Sequence, residues 1–249
     1  MTAWYESAFG RDYLSLYPHR NECEATRDVA GILRLIDPSR TAPLLDLCCG
    51  AGRHLVALRR AGFTCLTGLD LSADLLNEAR SRLLAESMGD IQLVKADMRD
   101  IPEEGAYSTI VSLFTSFGYF EDGLEDERVL QSVYRALATN GTLLLDTLNR
   151  NHILANLNPS EETEQDGKRI TVRRHISSDG LRVEKETRIN QPGSPETTYR
   201  ESVRMYTMDE IHAMLRGIGF VDVRFYGSLD GAAFSDESPR MVFVASKVE

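Results

Sequence analysis

A short apolar run passes directly into a glycine-rich turn in the sequence Leu44-Leu45-Asp46-Leu47-Cys48-Cys49-Gly50-Ala51-Gly52-Arg53-His54. The run has the length of a buried strand, and the residues after the turn predict an amphipathic helix over 54–61. Because glycine has no side chain, a Gly-x-Gly turn lets a ligand approach the backbone closely. The Asp46 carboxylate can accept hydrogen bonds from an ammonium group. The segment therefore favours a ligand that carries an amino-acid moiety.

Short apolar runs alternate with helical segments beyond this turn. Strands are predicted at residues 64–69, 91–95, 109–113 and 142–145, and helices at residues 73–85 and 125–138. Strands that alternate with helices imply a mainly parallel, doubly wound sheet. Two helices precede the first strand, one of them over residues 24–36. The other bears aromatic residues at a spacing of four, which we interpret as packing with only the last turn near a ligand: Tyr5, Phe9, Tyr13 and Tyr17.

The pattern changes again after Leu157. Residues 159–167 are polar and acidic and predict an exposed loop. Residues 169–176, 181–189 and 198–206 predict strands joined by Asp-Gly and Pro-Gly turns, which form an antiparallel insertion. A helix over residues 208–215 and strands over residues 221–226 and 241–245 complete the chain.

Two more predicted strands end in a carboxylate. Asp70 lies 18 positions after Gly52, about where doubly wound folds hold a ribose by its two hydroxyls. At Asp97 a carboxylate can accept the amino group of adenine, while Met98 can pack on the ring. A dinucleotide fingerprint requires a third glycine where Leu55 stands, and the Gly-Lys-Ser or Gly-Lys-Thr of a phosphate loop is absent. The pattern therefore disfavours NAD and ATP as the bound ligand.

In these motifs the sequence resembles the class I S-adenosylmethionine-dependent methyltransferases, over about residues 43–245. The resemblance implies a seven-stranded sheet with one antiparallel edge, S-adenosylmethionine as cofactor and S-adenosylhomocysteine as product. It implies that the glycine turn and Asp46 surround the methionine part, that Asp70 binds the ribose and that Asp97 binds the adenine. It also implies that Phe114 lines the methyl-transfer site. Together with residues expected near the strand ends, the full expected cofactor-binding set is Tyr17, Arg20, Asp46, Gly50, Ala51, Gly52, Asp70, Leu71, Asp97, Met98 and Phe114. The family often has a glycine where Cys48 stands, and we expect this small residue to be tolerated.

Motifs that are missing from the sequence narrow the range of possible methyl acceptors. Residues 114–120 lack the Asn-Pro-Pro-Tyr or Asp-Pro-Pro-Tyr sequence of enzymes that methylate the amino group of adenine or the amide of glutamine. Cytosine C5 methylation needs a cysteine nucleophile late in the fold. No cysteine follows Cys65, so this chemistry is excluded. The Asp-Asn pair of metal-dependent catechol enzymes is also absent, and no metal is expected. Transfer to an oxygen or nitrogen of a small-molecule acceptor remains. A peptide or protein N-methyltransferase and a non-catalytic S-adenosylmethionine sensor are the alternatives, with a nicotinamide oxidoreductase more distant.

The sequence does not decide which residues are catalytic. A hydroxyl acceptor must lose its proton during attack, and a nearby His or Tyr can assist. The candidates lie in segments expected near the strand ends: His19, His152, His175 and Tyr199. In the same region Arg20 can pair with the cofactor carboxylate while Tyr17 closes over it.

Composition sets the broad class. The chain has 249 residues, 28 Lys and Arg against 38 Asp and Glu, and a net charge of −10, so binding to nucleic acid is not expected. No apolar run approaches the roughly 18 residues of a membrane span and no signal peptide is visible, so we expect a cytoplasmic protein without membrane contact. The four cysteines lack zinc spacing and are expected to be reduced thiols.

We expect a single methyltransferase domain over residues 1–249. Residues 1–41 form a helical lid and residues 42–157 the cofactor-binding core. Residues 158–206 form an antiparallel insertion that roofs the acceptor chamber, and residues 207–249 form the last helix and closing strands. The strand edges of the insertion could pair across a two-fold axis, so a homodimer is possible.

Overall fold

The computed structural model describes residues 3–5, 9, 22–165 and 167–248. In chain order the elements are α1 (Glu22–Ile36), β1 (Leu44–Leu47), α2 (Arg53–Arg60), β2 (Leu66–Asp70), α3 (Ala73–Ala85), β3 (Gln92–Lys95), β4 (Tyr107–Ser112), α4 (Gly123–Ala136), β5 (Leu137–Leu148), α5 (Arg150–Asn156), β6 (Ser160–Gln165), β7 (Lys168–Ile176), β8 (Arg182–Asn190), β9 (Thr197–Arg204), α6 (Met208–Ile218), β10 (Val221–Tyr226) and β11 (Arg240–Ser246).

Seven strands form the large sheet, in the order β10-β11-β5-β4-β1-β2-β3. Strands β1 to β5 are parallel to one another, and β11 is antiparallel to both β5 and β10. The expected doubly wound, mainly parallel sheet is confirmed, with the reversed strand one place inside the edge. The chain order reverses between β1 and β4, and ligands of such sheets bind outside the carboxyl ends of the strands at that point.

Both faces of the sheet are covered. In β1, Leu45 and Leu47 pack in the same apolar core as α4 and α6, whereas Leu44 packs in the core that includes α1, α2 and α3. This alternation follows from the two-residue period of a strand. Asp46 therefore shares the face of Leu44, towards the helices that begin at the glycine turn.

Leu55 explains why the turn lacks a third glycine. Its side chain is fully buried in the core beside β2. A Cβ atom on Gly68 would lie 2.6 Å from Leu55 Cδ1, so the glycine on β2 leaves the space that this leucine fills.

The insertion differs from the expectation at its start. The predicted exposed loop over residues 159–167 is wrong, because Ser160–Gln165 forms strand β6 and pairs along β7 in a separate sheet of order β6-β7-β8-β9. Acidic side chains of β6 face basic ones of β7, with Arg174 Nη2 3.2 Å from Glu161 Oε2 and Arg169 Nε 3.3 Å from Glu162 Oε1. Charge pairing and backbone hydrogen bonds thus hold an edge strand that buries little apolar surface.

Helix α5 was not predicted. Its N-cap is Asn149, whose side chain accepts a hydrogen bond from Asn151 N. Within the described part of the chain, no helix is both long enough and apolar enough to cross a membrane. All four cysteines are free thiols.

Candidate active site

A cleft of about 770 Å³ opens where the parallel strands end, within the range typical of ligand sites. Of the expected cofactor-binding residues, those that line it are Asp46, Gly50, Ala51, Asp70, Leu71, Asp97, Met98 and Phe114. Gly52 lies behind the lining. Tyr17 and Arg20 fall outside the described residues, so their predicted roles remain predictions.

The glycine turn needs left-handed backbone at alternate positions. The φ angles are 61° at Cys48, 55° at Gly50 and 73° at Gly52. A side chain in this conformation costs about 1–2 kcal/mol, which explains the glycine usual at the position of Cys48. Cys48 occupies this position, and its Sγ lies 3.6 Å from Met98 Sδ.

Gly50 and Gly52 have different tasks. The nearest atom to a Cβ on Gly50 would be Leu75 Cδ1 at 4.0 Å, so this position leaves the cleft open. A Cβ on Gly52 would lie 3.1 Å from Ala79 Cβ, because Gly52 caps α2 where it packs on α3.

Asp46 carries an unused acceptor into the cleft. Its side chain is 1% exposed, and among the described residues Oδ2 has no hydrogen-bond partner. Burial raises the pKa of Asp46 to about 6, although the neighbouring His54 and Arg53 act to lower it. A buried carboxylate oxygen without a donor is costly, and an ammonium group would satisfy both its charge and its hydrogen bond. The residues present therefore fit the amino-acid part of S-adenosylmethionine.

Asp70 is fixed by backbone donors. Gly50 N donates to Oδ2 and Ser72 N donates to Oδ1, each at 2.8 Å. Burial raises the pKa of Asp70, and the hydrogen bonds from these two N–H groups offset part of that rise. Each carboxylate oxygen can accept a second hydrogen bond, so the side chain remains suited to a pair of ribose hydroxyls. The adjacent Leu71 is 36% exposed on the cleft, an apolar surface that a bound nucleoside would cover.

Asp97 is engaged by a side chain that the sequence analysis did not assign. Arg99 Nε donates to Oδ1 at 3.0 Å and Arg99 Nη2 to Oδ2 at 2.6 Å. Burial acts to raise the pKa of Asp97, but the hydrogen bonds and charge of Arg99 outweigh it, and the net pKa is below the usual value. Asp97 faces the cleft in ionised form, and its contact with adenine remains a prediction.

Phe114 lies in the cleft on strained backbone. Phe114 and Thr115 have φ angles of 59° and 64°. Phe114 N donates to Asp146 Oδ2 at 3.0 Å, and Arg240 binds the same carboxylate through Nε at 2.8 Å and Nη2 at 2.5 Å. Asp146 is 2% exposed and lies at the end of β5. Arg240 and Asp146 thus hold the aromatic ring that the resemblance places at the methyl-transfer site. The guanidinium of Arg53 covers the ring at 4.1 Å.

The first turn of α2 connects the cleft to α1. His54 Nε2 lies 3.0 Å from Asp28 Oδ2, and Arg53 Nη1 donates to Glu24 Oε2 at 2.8 Å. His54 is 5% exposed and lines the cleft. Its position directly after the glycine turn was the available signal in the sequence.

The three described catalytic candidates do not line the cleft. His152 Nδ1 is 2.9 Å from Glu237 O, and His175 pairs with Glu184 at 2.8 Å on the insertion sheet. Tyr199 lines a separate depression on that sheet. Strands β7 and β9 belong to the separate four-stranded sheet, which explains why His175 and Tyr199 lie away from the ends of the parallel strands. His19 falls outside the described residues.

Aromatic residues form one wall of the cleft. We call Tyr5, Phe9, Tyr119 and Phe120 the aromatic wall. Phe9 stacks on Tyr119 at 5.6 Å, and Tyr5 meets Phe120 edge-on at 5.3 Å. Tyr5 and Phe9 thus line the cleft, although of the first predicted helix only the last turn was expected to approach a ligand. The described lining includes no residue of 158–206, so the insertion as described does not form the expected roof.

Comparisons with known proteins agree with this geometry. Residues 44–141 match the family model of a methyltransferase domain. The chain is 34% identical over 119 residues to dTDP-3-amino-3,4,6-trideoxy-alpha-D-glucopyranose N,N-dimethyltransferase from Streptomyces venezuelae, covering 48% of this chain and 47% of that protein. It is 28% identical over 207 residues to glycine/sarcosine/dimethylglycine N-methyltransferase from Actinopolyspora halophila, covering 82% of this chain and 36% of that protein.

The chain thus spans less than half the length of these two relatives. Among solved structures, the CcbJ methyltransferase from Streptomyces caelestis has the same fold, with a TM-score of 0.80 and 18% identity over 98% of this chain and 99% of that one. Residues 44–141 thus match a methyltransferase domain, and the seven-stranded sheet with its acidic strand ends is similar to the fold of the class I S-adenosylmethionine-dependent methyltransferases.

Proposed function

We propose that the protein transfers a methyl group from S-adenosylmethionine to the amino nitrogen of a small molecule. The observation that carries the cofactor's place is the buried, unpartnered Oδ2 of Asp46 on the cleft, beside the backbone-held carboxylate of Asp70. The first suits the ammonium group and the second the ribose hydroxyls. Phe114 lies on the same cleft and would border the reacting methyl group.

The protein's contribution is positioning and exclusion of water. S-adenosylmethionine supplies a methyl group that is already activated by the sulfonium. Asp46 and Asp70 would fix the cofactor, while the aromatic wall and Phe114 would hold an acceptor in line and keep water out. Alignment alone can contribute roughly 7–11 kcal/mol to such a step.

An amine is favoured over a hydroxyl on two grounds. The names of both relatives describe methylation of nitrogen. A neutral amine attacks with its own lone pair and sheds its proton afterwards, so it needs no base during attack, whereas a hydroxyl does. The volume of about 770 Å³ can hold the cofactor together with a small acceptor.

The test is methyl transfer from labelled S-adenosylmethionine to a panel of glycine, sarcosine and aminosugars, with the hydroxyl analogue of each as its partner. We expect S-adenosylhomocysteine to form with the amines, at a rate that rises with pH as the amine loses its proton. Formation of this product should depend on Asp70, which the Asp70→Ala variant tests in parallel. Methylation confined to hydroxyl analogues or to peptides would contradict the proposal. Tight cofactor binding without turnover on the whole panel would favour a sensor.

A further inference from the structure

Arg182, at the start of β8, reaches from the insertion to the loop that carries the aromatic wall. Nη1 donates to Phe120 O at 2.9 Å, and Nη2 donates to Gly118 O at 3.2 Å and to Tyr119 O at 3.4 Å. The same guanidinium is anchored on β9, where Nε donates to Ser202 Oγ at 2.8 Å and Nη2 to Ser202 O at 2.7 Å. All three guanidinium nitrogens are therefore committed to joining this loop to the insertion.

The backbone of β9 holds the loop at a second point. Arg204 N donates to Gly118 O at 2.7 Å. Gly118 has a φ of 91°, and a Cβ there would lie 2.5 Å from Arg204 O. The two backbones are thus in direct contact, and only glycine permits it.

The held residues face the cleft on their other side. Tyr119 and Phe120 line it, and the ring of Phe120 lies 4.3 Å beneath the guanidinium of Arg99, which binds Asp97. A displacement of the carbonyls at 118–120 would therefore reach the predicted adenine end of the cleft.

We propose that Arg182 is a positioning residue, through which the insertion sheet fixes the aromatic wall from behind. The insertion then acts on the cleft without lining it. The inference rests on the proposed function, since it concerns the same cleft. Because Arg182 does not line the cleft, its effect must appear as a change in the wall and in the binding of the nucleoside product.

Trp4 provides a direct report of the loop. It is the one tryptophan of the sequence. Its Nε1 donates to Tyr119 O at 3.2 Å, and its ring meets that of Tyr119 at 5.0 Å. If the loop moves, the indole becomes more exposed to water and its fluorescence emission shifts to longer wavelength.

The experiment compares the full-length wild type with Arg182→Ala, Gly118→Ala and Arg174→Ala. Arg174 is the matched control, because it is an arginine of the same insertion that pairs with Glu161 and not with the loop. We expect Arg182→Ala and Gly118→Ala each to weaken binding of S-adenosylhomocysteine about tenfold or more and to shift Trp4 emission. Arg174→Ala should change affinity by less than about twofold and leave the emission unchanged.

Far-UV circular dichroism accompanies each titration. A folded Arg182→Ala variant with wild-type affinity and emission would overturn the inference. If Arg182→Ala unfolds, the Gly118→Ala variant tests the contact between the loop and the insertion instead. Wild-type affinity and emission of a folded Gly118→Ala variant would also overturn the inference. If the wild type itself does not bind S-adenosylhomocysteine, the proposed function fails, whereas the Trp4 emission still decides whether Arg182 positions the wall.

Discussion

The three acidic residues at the strand ends differ in how their charge is balanced. Asp70 receives backbone N–H groups and Asp97 receives a guanidinium, whereas Asp46 Oδ2 has no donor among the described residues. Burial raises the pKa of Asp46 to about 6, while Arg99 holds the pKa of Asp97 below its usual value. The carboxylate that lacks a partner is the one whose ionisation a cationic ligand would change most.

Asp70→Ala is expected to weaken S-adenosylmethionine binding at least tenfold, about 1.4 kcal/mol, because it removes both the ribose acceptor and the anchor of Gly50 N. Isothermal titration of the folded variant measures this. Asp90→Ala is the matched control, since it removes an equal charge from an exposed pair with Arg59. Equal affinities of both variants would count against the ribose site.

Asp46 predicts a pH dependence of cofactor binding. Its pKa of about 6 means that the carboxyl is neutral below that pH and ionised above it, so the contact with the ammonium is lost as the pH falls. Between pH 6 and pH 5 we expect the affinity of the wild type for S-adenosylhomocysteine to decrease by up to about tenfold. Asp46→Asn should bind more weakly at pH 8 and show little further loss down to pH 5. Parallel slopes for the two proteins would exclude Asp46 as the group responsible.

At the level of elements, the turn between β1 and α2 does two jobs that the sequence presents as one motif. Its Gly50 side leaves the cleft open, and its Gly52 side packs α2 against α3. The insertion likewise acts through an element that it does not contain, because β8 and β9 hold the loop after β4. At both places, a loop that lines the cleft is held by its packing against a neighbouring element.

Gly52→Ala is expected to reduce the free energy of unfolding more than Gly62→Ala. Both variants place an alanine in left-handed backbone, at φ angles of 73° and 95°, which costs about 1–2 kcal/mol. Only Gly52→Ala also brings a Cβ to 3.1 Å from Ala79, whereas the space around Gly62 is open to 4 Å. The crowding adds about 1–3 kcal/mol. Urea unfolding measures both variants, and equal losses would show that the contact with α3 is unimportant.

The elements also show where the sequence was sufficient. Apolar runs between turn residues predicted Leu44–Leu47, Ala73–Ala85 and Val221–Tyr226 with the bounds that the structure has. Strand β6 was missed because an exposed edge strand lacks apolar alternation and depends on pairing with β7. The carboxylates on β1 and β2 followed from local order, but the contact of Asp146 with Arg240 joins residues 94 positions apart and has no local signal.

For the whole molecule, the place of the cleft follows from topology. Strand β1 lies between β2 and β4, and the carboxyl ends of these strands meet where the chain order reverses. The glycine turn, the acidic strand ends and Phe114 all reach this point from separate segments of the chain. The net charge of −10 leaves the surface acidic, so a small cationic or neutral acceptor meets less repulsion than a polyanion.

The proposed methyl transfer depends most directly on what this cleft binds. The decisive measurement is calorimetric titration of the full-length protein with S-adenosylhomocysteine and, in a separate run, with NAD. We predict binding of S-adenosylhomocysteine at one site with micromolar or tighter affinity, and no measurable binding of NAD. Binding of NAD without binding of S-adenosylhomocysteine would contradict the assignment of Asp46 and Asp70 and, with it, the proposed methyl transfer.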